Sequence, residues 1–94
     1  MIRITTNDWE IIRDNLSDTH SLNKTFLTED LFQIIKNDYI IDVGWYEKIS
    51  KFKIILIQKF DWDNPVVQIH CDNHNQVLFS INFCFDYYNN MIMV

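Results

Sequence analysis

The sequence has few of the residues that usually mark the boundaries between elements of secondary structure. Its 94 residues contain one glycine, one proline and no alanine. With Gly44 as the sole glycine, a glycine-rich phosphate-binding loop is excluded, because such loops need several glycines at close spacing. Boundaries must therefore be inferred from hydrophobic periodicity and from asparagine, aspartate and threonine.

Cysteine and long apolar runs are scarce as well. The two cysteines, Cys71 and Cys84, follow an N-terminus without the apolar core of a secretory signal, which favours reduced, buried thiols over a disulfide. The longest apolar runs, such as residues 54–57, are much shorter than the roughly 20 residues of a membrane-spanning helix. We therefore expect a cytoplasmic protein that has no membrane partner.

Basic residues are outnumbered by acidic ones, 8 against 13, which gives a formal net charge of -5. This charge repels phosphate backbones, so we expect no direct contact with nucleic acid, and it attracts basic proteins. The length suits one globular domain spanning residues 1–94. A domain of this size can form two packed layers but no deep internal cleft, which argues against an elaborate enzyme.

Hydrophobic spacing predicts two helices in the N-terminal part of the chain. Asn7 and Glu10 have the spacing of a capping box. The apolar residues that follow this cap at helical spacing are Trp9, Ile12 and Leu16. Thr28 can cap a second helix that ends near Asn37. The apolar face of this second helix consists of Leu31, Ile34 and Ile35.

From residue 39 the hydrophobic period changes to two, which predicts three strands. In the first, one face carries Tyr39, Ile41, Val43 and Trp45. In the second, residues 51–60, the core face carries Phe52, Ile54 and Leu56. The third begins at Pro65 and has Val67, Ile69 and Cys71 on one face. The short connections predict an antiparallel meander.

The C-terminal segment fits both a strand and a helix. As a strand from Val77 to Tyr87 it would exceed the usual five or six residues, so its length favours a helix capped by Asn73 or Asn75. The fold class predicted from all segments is α+β. It has a three-stranded antiparallel meander, two N-terminal helices and a C-terminal helix packed on the sheet.

Two clusters of residues have the side chains of a metal or catalytic site. His70 and His74 supply two nitrogens, whereas a structural zinc usually has four ligands. Asp61 and Asp63 could hold magnesium or act as acid and base, but no nucleophile or phosphate loop accompanies them. We therefore predict no catalytic residue, no metal site and no cofactor, and we expect that the protein is not an enzyme.

Acidic and aromatic residues occur together in two segments and suggest a surface that binds a protein. The predicted partner-binding residues are Asp42, Tyr46, Glu47, Asp61, Trp62 and Asp63. Antiparallel strands could bring the two segments close together, and their carboxylates could accept hydrogen bonds from lysine and arginine. Trp45 lies on the apolar face and is expected in the core, so Tyr46 and Trp62 are the stronger interface candidates.

A second apolar stripe on the predicted C-terminal helix suggests self-association. Phe79, Phe83 and Tyr87 recur every four residues and have no obvious core to enter. Such a stripe either packs elsewhere in the protein or contacts a partner. The sequence does not determine the oligomeric state.

Residues 42–46 read Asp-Val-Gly-Trp-Tyr and residues 61–65 read Asp-Trp-Asp-Asn-Pro. With these two motifs, residues 28–70 resemble small immunity proteins of bacterial polymorphic and contact-dependent growth-inhibition toxin systems. In that family's pattern a proline and a glycine-bearing loop follow the tyrosine, whereas this chain has Glu47 and the shorter residues 48–50.

The resemblance implies an antitoxin that binds a cognate toxin domain and covers its active site or substrate groove without chemistry of its own. The acidic charge favours a basic toxin such as a nuclease. Two alternatives stay open. One is a small metal-dependent or ligand-binding enzyme that uses Asp61, Asp63, His70 and His74, and the other is a self-associating adaptor.

Overall fold

A computed structural model describes residues 8–15 and 31–93, which form a five-stranded antiparallel sheet followed by a helix. The strands are β1 (Glu10–Asp14), β2 (Phe32–Lys36), β3 (Tyr39–Tyr46), β4 (Lys51–Gln58) and β5 (Val67–Cys71). A 3-10 turn, Glu47–Ile49, joins β3 to β4. Helix α1 (His74–Tyr87) continues into a π-helical turn, Tyr88–Ile92. Strands adjacent in sequence are adjacent in the sheet, so the order is β1-β2-β3-β4-β5.

The two predicted N-terminal helices are wrong, because both segments contribute strands to the sheet. β1 pairs with β2, and β2 pairs in turn with β3. Neighbouring isoleucines such as Ile34 and Ile35 fit a helical stripe, but they equally suit a strand whose two faces both contact apolar groups. Ile34 is fully buried on the same sheet face that α1 covers elsewhere, whereas Ile35 packs on the opposite face. Asn7, Leu16 and Thr28, assigned to these helices, lie outside the described residues.

Asn37 forms a hairpin turn rather than the end of a helix. Lys36 pairs with Tyr39, so Asn37 and Asp38 are the two residues between β2 and β3. Asn37 has a φ of 55°, in the left-handed region that asparagine tolerates better than most residues. This turn therefore joins β2 and β3 as a hairpin.

The three strands predicted after residue 39 are confirmed as β3, β4 and β5, and the C-terminal helix is confirmed as α1. The predicted fold class is nevertheless wrong, since the meander has five strands and the described part contains one α-helix. Asn73 caps α1 because its side chain accepts a hydrogen bond of 3.0 Å from the backbone N–H of Gln76.

The main core lies between α1 and one face of the sheet. Its buried residues include Ile41, Val43, Trp45, Phe52, Ile54, Leu56, Val77, Ile81, Cys84 and Phe85. At one end of this core Tyr88 is fully buried, with its ring centroid 5.0 Å from that of Trp9 and 5.3 Å from that of Tyr39. A smaller cluster of Ile40, Ile55 and Ile57 lies on the opposite face. Within the described residues no helix is long and apolar enough to cross a membrane.

Candidate functional site

The two predicted acidic and aromatic segments lie at opposite ends of the sheet. Tyr46 pairs with Lys51 at one end of the β3–β4 hairpin, and Tyr39 pairs with Gln58 at the other. Glu47 therefore follows the first end, and Asp61 follows the second. β4 has eight residues, so at about 3.4 Å per residue the two ends are roughly 25 Å apart. The expectation that antiparallel geometry brings the segments together is wrong.

At the β3 end, the predicted residues mostly serve the fold. Asp42 is 7 % exposed in the middle of β3 and accepts a hydrogen bond of 3.2 Å from the side chain of Gln33. Trp45 lies in the core, as expected, and donates its indole N–H to Glu47 over 2.6 Å. Asp42 therefore does not present its carboxylate to a partner, and Glu47 is already engaged by a neighbour.

Tyr46 is half-buried on the sheet face opposite α1. The Nζ atom of Lys53 lies 5.2 Å from the centroid of its ring, a cation–π contact. Lys53 pairs with Gly44. Because glycine has no side chain, Lys53 has room to lie over the ring of Tyr46. A lysine thus covers part of the ring that the sequence suggested for partner binding.

The β4–β5 connection presents the other predicted residues to solvent. Trp62 is 46 % exposed, its neighbour Phe60 is 65 % exposed, and both Asp61 and Asp63 are exposed. Asp38, in the β2–β3 turn, belongs to the same end of the sheet because its carbonyl accepts a hydrogen bond of 2.8 Å from the N–H of Lys59. We call these five residues, Asp38, Phe60, Asp61, Trp62 and Asp63, the tip surface.

The tip surface is held by local hydrogen bonds and an unusual backbone. Lys59 and Phe60 have φ angles of 54° and 60°, a left-handed conformation that costs roughly 1 kcal/mol for residues with a side chain. The N–H of Asp61 donates to the carbonyl of Gln58 over 3.0 Å. The side chain of Asn64 lies 3.3 Å from both carboxylate oxygens of Asp61. These bonds hold the loop backbone in one conformation, and this backbone carries the aromatic rings.

Charge at the tip surface has one dominant sign. Asp38, Asp61 and Asp63 are exposed carboxylates, and the exposed cation of the same loop is Lys59. Exposed aromatic rings surrounded by carboxylates suit a partner that offers lysine or arginine beside apolar groups. Within the described residues no group of three or more metal-ligating side chains is assembled.

Sequence reasoning did not identify Phe60 as part of the tip surface, nor Lys59 as its neighbour. The sequence places Phe60 at the end of a long apolar strand, whereas the structure ends β4 at Gln58 and turns the chain outward. Two consecutive left-handed residues without glycine or asparagine leave no compositional signal. The one indirect sign that β4 ends before Phe60 is the polar sequence around it, with Lys59 before the ring and Asp61 and Asp63 after it.

The histidines of the metal hypothesis lie far from the paired aspartates. His70 is near the end of β5 and His74 begins α1, so both are at the opposite end of β5 from Asp61 and Asp63. Burial lowers the pKa of His74, and its Nε2 atom is buried without a hydrogen-bond partner in the described part of the chain. The four residues of that hypothesis do not form one site.

The predicted self-association stripe is partly exposed. Phe79 and Phe83 are 77 % and 51 % exposed, whereas Tyr87 is half-buried against the main core. The rings of Phe83 and Tyr87 have centroids 6.4 Å apart. Beside them an open groove of about 480 Å³ runs between α1 and β5. Its lining residues are Ile69, Phe79, Ser80, Asn82, Phe83 and Asp86.

Comparison of the chain with family models, with curated proteins and with solved structures finds no match.

Proposed function

We propose that this protein is a cytoplasmic immunity protein that binds a cognate toxin domain and blocks its active site or substrate groove. The toxin in this proposal is a basic protein such as a nuclease. The observation that carries the proposal is the tip surface, where Phe60 and Trp62 project between exposed carboxylates. The protein acts by occupying a surface and performs no chemistry.

The charge of the whole chain supports the same kind of partner. At a net charge of -5, the protein attracts a basic toxin over distances of about 10 Å at moderate salt, and this attraction raises the association rate. Once the proteins meet, the aromatic rings supply contact area at low entropic cost, because their backbone is already ordered. Long-range charge and local aromatic contact thus serve successive steps of binding.

The two motifs that carry the resemblance play different parts in this proposal. Residues 42–46 are part of β3, where Asp42, Gly44 and Trp45 are buried, so this motif stabilises the sheet. Residues 61–65 form most of the exposed loop. We assign recognition of the toxin to the second motif.

The test is binding to the product of the gene immediately upstream, with and without a charge reversal at the tip surface. Combining Asp61→Lys with Asp63→Lys should lower the affinity by roughly tenfold or more and flatten its dependence on salt. Calorimetry in low and high salt measures both quantities. Growth of cells that express the upstream gene product measures protection.

A matched control separates the tip surface from overall charge. Glu10→Lys combined with Asp86→Lys gives the same change in net charge, from -5 to -1, since each reversal adds two charges. Both residues are exposed and lie outside the loop. The control variant should keep most of the affinity. Equal losses in both variants would contradict recognition by the tip surface, and the absence of any complex or protection would contradict the function itself.

A further inference from the structure

The two edges of the sheet are protected to very different degrees. β1 carries Glu10, Arg13 and Asp14, and its register with β2 shifts between Ile11 and Arg13. Charged residues and bulges are the usual devices that prevent a sheet edge from pairing with another chain. β5 has neither device, because its register with β4 is regular and residues 64–71 contain no Lys, Arg, Asp or Glu. No described strand pairs with the outer side of β5.

Apolar surface lies directly beside this unprotected edge. Ile69, in the middle of β5, lines the open groove together with Phe79 and Phe83 of α1. Among the described residues β5 is an edge strand, and two exposed phenylalanines beside such an edge are costly to leave in water. The edge and the aromatic stripe therefore form one continuous surface.

We propose that β5 pairs antiparallel with β5 of a second copy of this chain. The two five-stranded sheets then become one continuous sheet. A twofold axis perpendicular to that sheet places both α1 helices on the same face, where Phe79 and Phe83 of each copy cover the junction. This symmetry is the commonest one among protein dimers.

The sequence of β5 is complementary to itself in this arrangement. With the twofold axis at Ile69, Val67 lies opposite Cys71 and Gln68 lies opposite His70. Paired residues of antiparallel strands share a face, so the apolar residues meet on the side of α1. The exposed polar pair, Gln68 and His70, meets on the other side. No like charges oppose each other across the junction.

The charge of the edge favours a second copy over a basic partner. Asp86 is the charged residue among those that line the groove, and Asp72, just after β5, forms an ion pair with Lys51. A cationic partner would find few carboxylates here, in contrast to the tip surface. Two acidic copies can meet at this junction, however, because the strand residues that face each other across it carry no carboxylate.

Sedimentation or light scattering of the purified chain over a range of concentrations tests the proposal. The wild type should reach twice its monomer mass of 11.4 kDa. Phe79→Glu, and separately Gln68→Lys combined with His70→Lys, should each raise the dissociation constant by roughly tenfold or more. All three positions are exposed, so these variants should fold normally.

A charge swap and a distant control make the result specific. Gln68→Lys combined with His70→Glu places opposite charges across the twofold axis, so it should dimerise at least as well as the wild type. Ile49→Glu alters another exposed apolar side chain, in the β3–β4 turn, and should leave the dimer intact. Hydrogen exchange should show protection of the β5 amides that increases with concentration.

Two outcomes would overturn the proposal. One is a wild type that stays monomeric at the highest soluble concentration, and the other is a dimer that survives both disruptive variants. A complex with the upstream gene product that involves the tip surface would leave this proposal unaffected, because the two surfaces are separate. Failure of dimerisation and failure of toxin binding are therefore distinguishable.

Discussion

Two residues, Phe60 and His74, lie in environments that lower the free energy of unfolding. Phe60 has a left-handed backbone, which is unfavourable for residues with a side chain, and an exposed ring, which is unfavourable for a large apolar group. His74 has a buried nitrogen that lacks a hydrogen-bond partner in the described part of the chain. The first cost falls on the proposed recognition surface, and the second falls at the start of α1.

Replacing Phe60 with glycine should separate stability from binding. Glycine adopts φ angles near 60° without steric cost, so Phe60→Gly should keep the free energy of unfolding or raise it by up to about 1 kcal/mol. The same change removes an exposed ring and should weaken binding to the upstream gene product. Urea titration and calorimetry measure the two effects.

Ser50→Gly is the matched control, because Ser50 has a φ of 50° and lies at the other end of the β3–β4 hairpin. It should change stability in the same direction and leave binding unaltered. A marked loss of stability in the Phe60 variant would show that its ring supports the fold.

His74 should make stability depend on pH in the weakly acidic range. Burial lowers the pKa of His74 in the folded protein below the value of about 6.5 expected in the unfolded chain. The unfolded chain therefore binds the proton more readily, and the free energy of unfolding should decrease as pH falls below that value. In His74→Gln this decrease should be smaller, as measured by urea titrations between pH 7.5 and pH 5 at intervals of about half a unit.

Asn75→Gln provides the comparison, since Asn75 is exposed, lies next to His74 and carries no titratable group. Its pH profile should match that of the wild type. If the His74 variant kept the full pH dependence, the buried histidine would not be its source.

At the scale of elements, α1 illustrates how a local signal and tertiary packing combine. Asn73 accepts a hydrogen bond from the N–H of Gln76, while the side chain of Gln76 accepts one of 2.7 Å from the N–H of Asp72. The first bond satisfies a backbone donor in the first turn of the helix, and the second holds the residue that precedes the cap. The same sequence pattern alternates with period two, and packing of Val77, Ile81 and Cys84 on the sheet selects the helix.

The two asparagines at the start of α1 should respond differently to substitution. Asn73→Ala should lower the free energy of unfolding by about 1 kcal/mol, because the cap is lost. Asn75→Ala should have little effect or be slightly stabilising, since Asn75 is an exposed helical residue. Chemical denaturation of the pair decides between the two caps that the sequence allows. Equal effects would mean that Asn73 does not cap the helix.

At the scale of the whole molecule, the burial of both cysteines links thiol chemistry to global unfolding. Cys71 and Cys84 are free and buried, and burial raises the pKa of Cys71 and raises that of Cys84 to about 12. The reactive form of a thiol is the thiolate. Neither side chain should therefore react while the protein is folded.

Titration with a coloured disulfide reagent checks this expectation. Both thiols should react quickly in denaturant and slowly under native conditions, at rates that follow the unfolded population. If one thiol reacted in the folded protein as fast as a solvent-exposed cysteine does, that result would contradict its burial.

The sequence by itself determined the net charge, the strands from residue 39 onward and the exposure of the second acidic and aromatic motif. These features depend on composition and on short-range periodicity, which a single segment already contains. The sequence also narrowed the helix cap to Asn73 or Asn75, because a cap acts within one turn of its helix, and the structure selects Asn73.

Only the tertiary structure decided the state of the N-terminal segments and the relation between the two motifs. Residues 32–36 have side chains that suit a helix or a strand, and pairing with β3 selects the strand. The length and direction of β4 place the two motifs at opposite ends of the sheet. Strand pairing depends on residues distant in sequence, so neither result could be obtained from local patterns.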